Sequence, residues 1–137
     1  MWVWMLVLQL SLLRWRNDTA LWTATANAEP RSARAHTWLG LLAREQGDLV
    51  QARARYEQAV AANPYEVNAL INLAILDGET GDLAAAERRL REAVELRPDK
   101  SEAWANLAVA LELQGKREEA LHASEKARAT DLLGPAR

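Results

Sequence analysis

The chain has 137 residues, with 17 Lys and Arg against 19 Asp and Glu and a formal net charge of −2, and it contains no Cys and no Phe. The length suits one ordinary domain or a short repeat array. The missing thiols exclude disulfides and thiolate metal sites, and the charge balance supplies no basic field for a nucleic acid.

The first element is the run "MWVWMLVLQLSLL", apolar over residues 1–13 apart from Gln9 and Ser11 and followed by Arg14 and Arg16. As a helix it would be about 20 Å long, against a hydrocarbon core of about 30 Å. No Lys or Arg precedes it and no clean small-residue cleavage site follows, so it does not read as a signal peptide. Trp2, Trp4 and Trp15 suit a bilayer interface. Three readings stay open for residues 1–16: an interfacial anchor, the end of a longer transmembrane helix, or an apolar N-terminal helix packed on the rest. Location follows the same split: membrane-associated on an unknown side, or cytoplasmic and soluble.

The next elements are set by a period. Pro30, Pro64 and Pro98 fall 34 residues apart. Units starting at Ala33, Val67 and Ser101 place Leu39, Leu73 and Leu107 at the seventh position. Gly40, Ala74 and Ala108 take the eighth, Gly47, Gly81 and Gly115 the fifteenth. Ala52, Ala86 and Ala120 take the twentieth, and Ala59, Ala93 and Ala127 the twenty-seventh. A fixed lag of this kind is the mark of a repeat architecture. On the same phase Thr19–Ala28 is a second helix, and Trp22 stands where Tyr56 and Leu90 stand later. The expected organisation is therefore 1–16 apolar segment, 17–32 capping half-repeat, repeats at 33–66, 67–100 and 101–134, and a tail at 135–137.

Each unit predicts two helices. In the first, Leu70, Leu73 and Ala74 show the three-and-four spacing of one buried face. The glycine permits a left-handed C-cap, and Asp48 or Asp82 caps the next helix. In the second, Ala86, Leu90, Ala93 and Val94 form a stripe, and the proline ends it. Ala and Gly recur where the two helices must approach closely. One hairpin cannot bury its apolar face alone, so hairpins stack. Positions that would meet a following unit run Leu49, Leu83, Arg117, then Tyr56, Leu90, Ser124, then Val60, Val94, Arg128. That polar last helix suits a terminal repeat, with the natural end of the chain expected near Arg137. Asp77 stands where Ala43 and Leu111 stand, so it is expected to be a weak spot that Asp77→Leu would relieve.

The pattern resembles the tetratricopeptide repeat, a 34-residue helix–turn–helix unit, over Ala33 to about Leu132. The family's usual Trp at the fourth position is Trp104 here but His36 and Leu70 elsewhere. Its usual Tyr at the eleventh is Ala43, Asp77 and Leu111. The resemblance implies an all-α fold, a right-handed α-solenoid of antiparallel helix pairs, preceded here by an N-terminal apolar helix. A second resemblance rests on Arg14, Asn17, Trp22 and Pro30. The stretch "RWRNDTALWTATANAEPRSARAHTWLG" is similar to the junction between the last membrane helix and the first repeat in polytopic O-mannosyltransferase-like proteins. It implies an accessory C-terminal domain of a membrane-bound glycosyltransferase-like protein, without the catalytic acidic residues.

Catalytic and cofactor signatures are missing. His36 and His122 are the only histidines. The first falls on a packing position and the second on the polar last helix, and neither has metal-ligand spacing to another His or carboxylate. There is no phosphate loop or nucleophile motif. Asp77 and Glu79 flank Gly78 at a helix end and read as structural. "ERRLRE" reads as a solvated, pair-stabilised face. The chain is expected to be no enzyme, to take no cofactor and to bind a protein or peptide partner.

The candidate binding residues lie on the first helix of each unit, the inner face that the family resemblance implies. They are Arg34, Trp38 and Leu41, then Asn68, Asn72 and Ile75, then Asn106 and Val109. Asn72 and Asn106 share the sixth position, and a carboxamide can both donate to and accept from a peptide main chain. The pair resembles the asparagine ladders of O-GlcNAc transferases and kinesin light chains. Thr37, Leu41 and Glu102 depart from the Lys and Asn of the carboxylate-clamp repeats, which argues against a free acidic C-terminus as ligand.

Overall fold

The computed structural model describes Met5 and residues 18–133. The described elements are seven helices: α1 (residues 18–28), α2 (Ala33–Glu45), α3 (Leu49–Ala62), α4 (Val67–Glu79), α5 (Leu83–Leu96), α6 (Ser101–Leu113) and α7 (Arg117–Leu133). No strand occurs among the described residues. The apolar segment expected over 1–16 lies outside them, Met5 excepted. Among the described residues, no helix is long and apolar enough to cross a membrane.

The turns inside each hairpin obey one rule. Gly47, Gly81 and Gly115 take φ of 79°, 87° and 77°, where a Cβ would be strained. The reversal lets the amide two residues past the cap reach back into the helix. Asp48 N–H donates to Ala43 O at 2.9 Å, Asp82 to Asp77 O at 2.8 Å and Lys116 to Leu111 O at 2.9 Å. These bonds satisfy carbonyls that a helix end leaves without partners. The second helices start on side-chain caps where an Asp is present. Asp48 accepts from Gln51 N–H at 2.9 Å and Asp82 from Ala85 N–H at 3.0 Å. Lys116 takes that place before α7, and its ammonium goes to Glu87 instead.

The chain forms two compact units, residues 1–63 and 64–137. In the first, Trp22 and Ala26 of α1 pack on Ala35, Leu39 and Leu42 of α2, so α1 covers an apolar surface that α2 cannot bury alone. α2 and α3 then meet at Gly40 and Tyr56. Tyr56 is fully buried, and a Cβ on Gly40 would lie 2.4 Å from its Cε1. The glycine is required by the ring it faces. In the second unit the same two positions hold Ala74 with Leu90, a larger residue facing a smaller one than in the Gly40 and Tyr56 pair, and then Ala108 with Ser124. Leu70, Ile71, Leu73, Leu76, Leu90 and Leu111 are its largest buried side chains.

Asp77 corrects one expectation. It is buried, as its apolar counterparts are, but its carboxylate accepts from Arg89 Nε at 2.8 Å. Arg89 stands twelve residues on, in the middle of α5, and brings the charge that offsets the loss of hydration. Arg89 is thereby not part of a solvated run, and Asp77 is not an unpaired buried charge.

Candidate peptide-binding face

In the second unit α4 and α6 run in contact, and their start points are tied together. Lys100, the residue before α6, donates to Asn68 Oδ1 at 2.6 Å. Asn68, Asn72 and Ile75 lie on α4, and Asn106 and Val109 on α6, the two helices that this bond joins. Asn68 and Val109 are exposed, and Asn72, Ile75 and Asn106 are half-buried. The two sixth-position carboxamides behave alike. Asn72 Nδ2 donates to Asn68 O at 2.8 Å and Asn106 Nδ2 to Glu102 O at 2.9 Å, each one turn back. Such back-bonding fixes a side chain against its own helix. One amide hydrogen and the whole acceptor capacity of Oδ1 remain on each. Val109 and Leu113, 58% and 64% exposed, add an apolar strip along α6.

The first unit carries its own set. Arg34 is exposed, Leu41 is half-buried, and Trp38 is 42% exposed. Trp38 is stacked on Trp22 at 5.5 Å between centroids with planes 10° apart. The stack covers one indole face of Trp38 with Trp22. Thr37, the neighbouring position, is buried and donates to Ala33 O at 2.9 Å. It is turned into its own helix and offers nothing to a ligand.

Several charges of the second unit neutralise one another. Glu87 on α5 accepts from Lys116 at 2.7 Å, from Gln114 at 2.8 Å and from Arg91 at 2.9 Å. The Lys116 ammonium above all, with Gln114 and Arg91, holds its carboxyl at about 2, against burial that works in the other direction. Arg91 also pairs with Glu119 of α7, so one cluster ties α5 to the turn before α7 and to α7 itself. Asp99 is likewise held at about 2, chiefly by the Arg97 fork, which bonds both carboxylate oxygens at 2.8 Å.

The fourth position has a role that the sequence does not announce. His36 Nε2 lies 3.0 Å from Pro30 O, and Trp104 Nε1 donates to Pro98 O at 2.9 Å. A carbonyl only accepts, so the proton of His36 sits on Nε2. Both rings tie down the turn that leads into their helix. Leu70 has no donor for the equivalent Pro64 carbonyl. His122 is exposed on α7 and meets Trp104 edge to face. Among the described residues no group of His, Asp or Glu is arranged to hold a metal.

Fold and face define a class, the arrays of helical hairpins whose first helices are free to present side chains. A tetratricopeptide repeat model matches residues 31–99 and a second of the same description matches residues 71–131; the chain belongs to the tetratricopeptide repeat family. Solved structures of MamA share the fold. One is 20% identical with a TM-score of 0.73, over 82% of this chain and 66% of that one. MamA MSR-1 is 24% identical with a TM-score of 0.68, over 89% and 70%. MamA AMB-1 is 26% identical with a TM-score of 0.67, over 82% and 62%. This chain therefore spans about two thirds of the length of those structures. A search of curated proteins gives no match. The resemblance to O-mannosyltransferase-like proteins gains no support from these comparisons.

Proposed function

We propose that the chain is a protein-interaction scaffold that binds an extended peptide through its main chain, along α4 and α6. The observation that carries the reading is the shared state of Asn72 and Asn106. Both stand at the sixth position of a first helix, and both donate to the carbonyl one turn back. Their Oδ1 atoms are thereby oriented before a ligand arrives, which reduces the ordering cost of binding. Each can accept from a peptide N–H without giving up its own bond, so recognition by these two groups is indifferent to peptide side chains. Ile75, Val109 and Leu113 supply the apolar contact that selects among peptides. Arg34, Trp38 and Leu41 are assigned the same task on their own unit, with the other indole face of Trp38 receiving an apolar or aromatic side chain.

A neutral hydrogen bond contributes roughly 0.5–1.5 kcal/mol. Changing Asn72 and Asn106 together to Ala is therefore expected to weaken a peptide selected from a library on the wild-type chain by about five- to a hundredfold, with the melting temperature little altered. Equal affinity of the double variant would mean that both carboxamides are merely solvated helix residues. Membrane attachment through residues 1–16, and a role as the repeat tail of a larger membrane protein, rest on the N-terminal sequence alone. No contact among the described residues favours them.

A further inference from the structure

A polar cleft of about 540 Å³ opens in the first unit, away from the residues assigned to peptide binding. It is bordered by Ala26 and Asn27 at the end of α1, Pro30 and Arg31 in the following turn, His36 of α2, and Arg55, Gln58, Ala61 and Ala62 of α3. Two guanidinium groups and two side-chain amides thus face one space, and no carboxylate borders it. Arg55 spends one N–H on Gln58 Oε1 at 3.4 Å, and neither Arg31 nor Arg55 has a salt bridge among the described residues. Glu29 borders the adjoining hollow on the other side of the turn.

The repeat itself says which of these groups the fold does not need. Arg55 is the counterpart of Arg89, which is neutralised by Asp77 at 2.8 Å. The residue of the first unit that corresponds to Asp77 is the buried Ala43. Arg55 therefore keeps the cation of that pair and lacks its anion. Arg31 corresponds to Tyr65 and Asp99, Gln58 to Glu92 and Lys126, and His36 to Leu70 and Trp104. A second unpaired cation and a histidine have been added where the other two units manage without them. His36 is 7% exposed, and with Nε2–H committed to Pro30 O its buried Nδ1 is an acceptor that no protein group satisfies. A buried polar atom in that state costs stability.

We propose that this cleft binds a phosphate group, with Arg31 and Arg55 as its principal ligands. A carboxylate offers two oxygens and is filled by one guanidinium fork. Two forks together with the Asn27 and Gln58 amides match the three non-bridging oxygens of a phosphate ester, or three of the four of the free anion. A phosphate also carries a titratable O–H near neutrality, and this supplies the donor that His36 Nδ1 lacks. The ligand is either free phosphate or a phosphate carried on a partner's side chain, and the chemistry recognised is the same.

Titration calorimetry of the full chain at low ionic strength tests the site, with inorganic phosphate in one arm and a phosphoserine peptide in the other. Saturable binding is expected in at least one arm. Removing charge-assisted hydrogen bonds costs a factor of about ten or more, so Arg31→Gln and Arg55→Gln are each expected to weaken binding by about tenfold or more. Arg128→Gln, an exposed cation on α7, is expected to leave it within about twofold. His36→Leu copies the second unit, so it is expected to keep the helical spectrum while weakening binding. Tighter binding of the peptide assigns the phosphate to a partner protein. Equal or tighter binding of inorganic phosphate assigns it to the free anion. The proposal is overturned if neither arm saturates, if Arg31→Gln and Arg55→Gln bind as the wild type does, or if Arg128→Gln weakens binding as much as they do.

Discussion

Adding one methyl group at Gly40 tests how the first hairpin is held. In Gly40→Ala the new Cβ would lie 2.4 Å from Tyr56 Cε1, 2.6 Å from Cδ1 and 3.0 Å from Cζ. The ring is fully buried, so it has no solvent to move into, and α2 and α3 must separate or Tyr56 must leave its rotamer. Overpacking of this kind costs about 1–3 kcal/mol. Ala gains up to about 1 kcal/mol over Gly as a helix former. The contact lies well inside van der Waals distance, which places the clash at the upper end, and the net expectation is a loss of about 1–2 kcal/mol. At about 2–8 °C per kcal/mol for chains of this size range, a melting curve followed by circular dichroism resolves it. The second unit supplies the control. Gly40→Ala with Tyr56→Leu copies Ala74 and Leu90, both of which are buried. Tyr56→Leu alone opens a void beside Gly40 and is also expected to destabilise. The double variant should be more stable than the sum of the two single effects by about 1–2 kcal/mol. A neutral or stabilising Gly40→Ala, or strict additivity in the cycle, would refute the claim that the two positions are matched in size.

Asp77→Leu is expected to lower the melting temperature, because it strips Arg89 of its partner inside the hairpin. Asp77→Leu with Arg89→Ala copies Leu111 and Ala123 of the third unit and should restore the wild-type value or exceed it; a single variant that melts higher than wild type would contradict the pairing. For Glu87 the sign follows from a carboxyl depressed from 4.5 to about 2 in the fold. Its stabilising contribution is complete above 4.5 and is lost as the pH falls through about 2. Urea unfolding should therefore find the wild type more stable than Glu87→Gln near neutrality, with the gap narrowing as the pH falls below 4.5. A gap that stays constant over that range would mean that the Lys116, Gln114 and Arg91 contacts contribute little.

The hairpins were legible because their signals are chemical and recur at a fixed lag. Gly47, Gly81 and Gly115 are read as left-handed caps from residue type alone, and Asp48 and Asp82 as N-caps from their place after the glycine. Asp77 was misread because its partner is not its neighbour on the helix. Arg89 reaches it only after the chain has turned at Gly81, and the signal was a single coincidence at the eleventh and twenty-third positions. The shared position of Asn72 and Asn106 was visible, but the bond each makes to its own helix depends on side-chain rotation that no spacing encodes. The cleft of Arg31, His36 and Arg55 was missed for a related reason. Its residues come from a turn and three helices, and of Arg31, His36 and Arg55 only Arg55 recurs one period on, as Arg89.

The most direct test of peptide binding along α4 and α6 is the side-chain amide spectrum of Asn72 and Asn106 in nuclear magnetic resonance, recorded while a library-selected peptide is added to the wild-type chain. Both carboxamide signals are expected to move together and to saturate at the same peptide concentration, with the Asn27 signal on α1 unmoved. Saturable binding that leaves the Asn72 and Asn106 signals in place would contradict it.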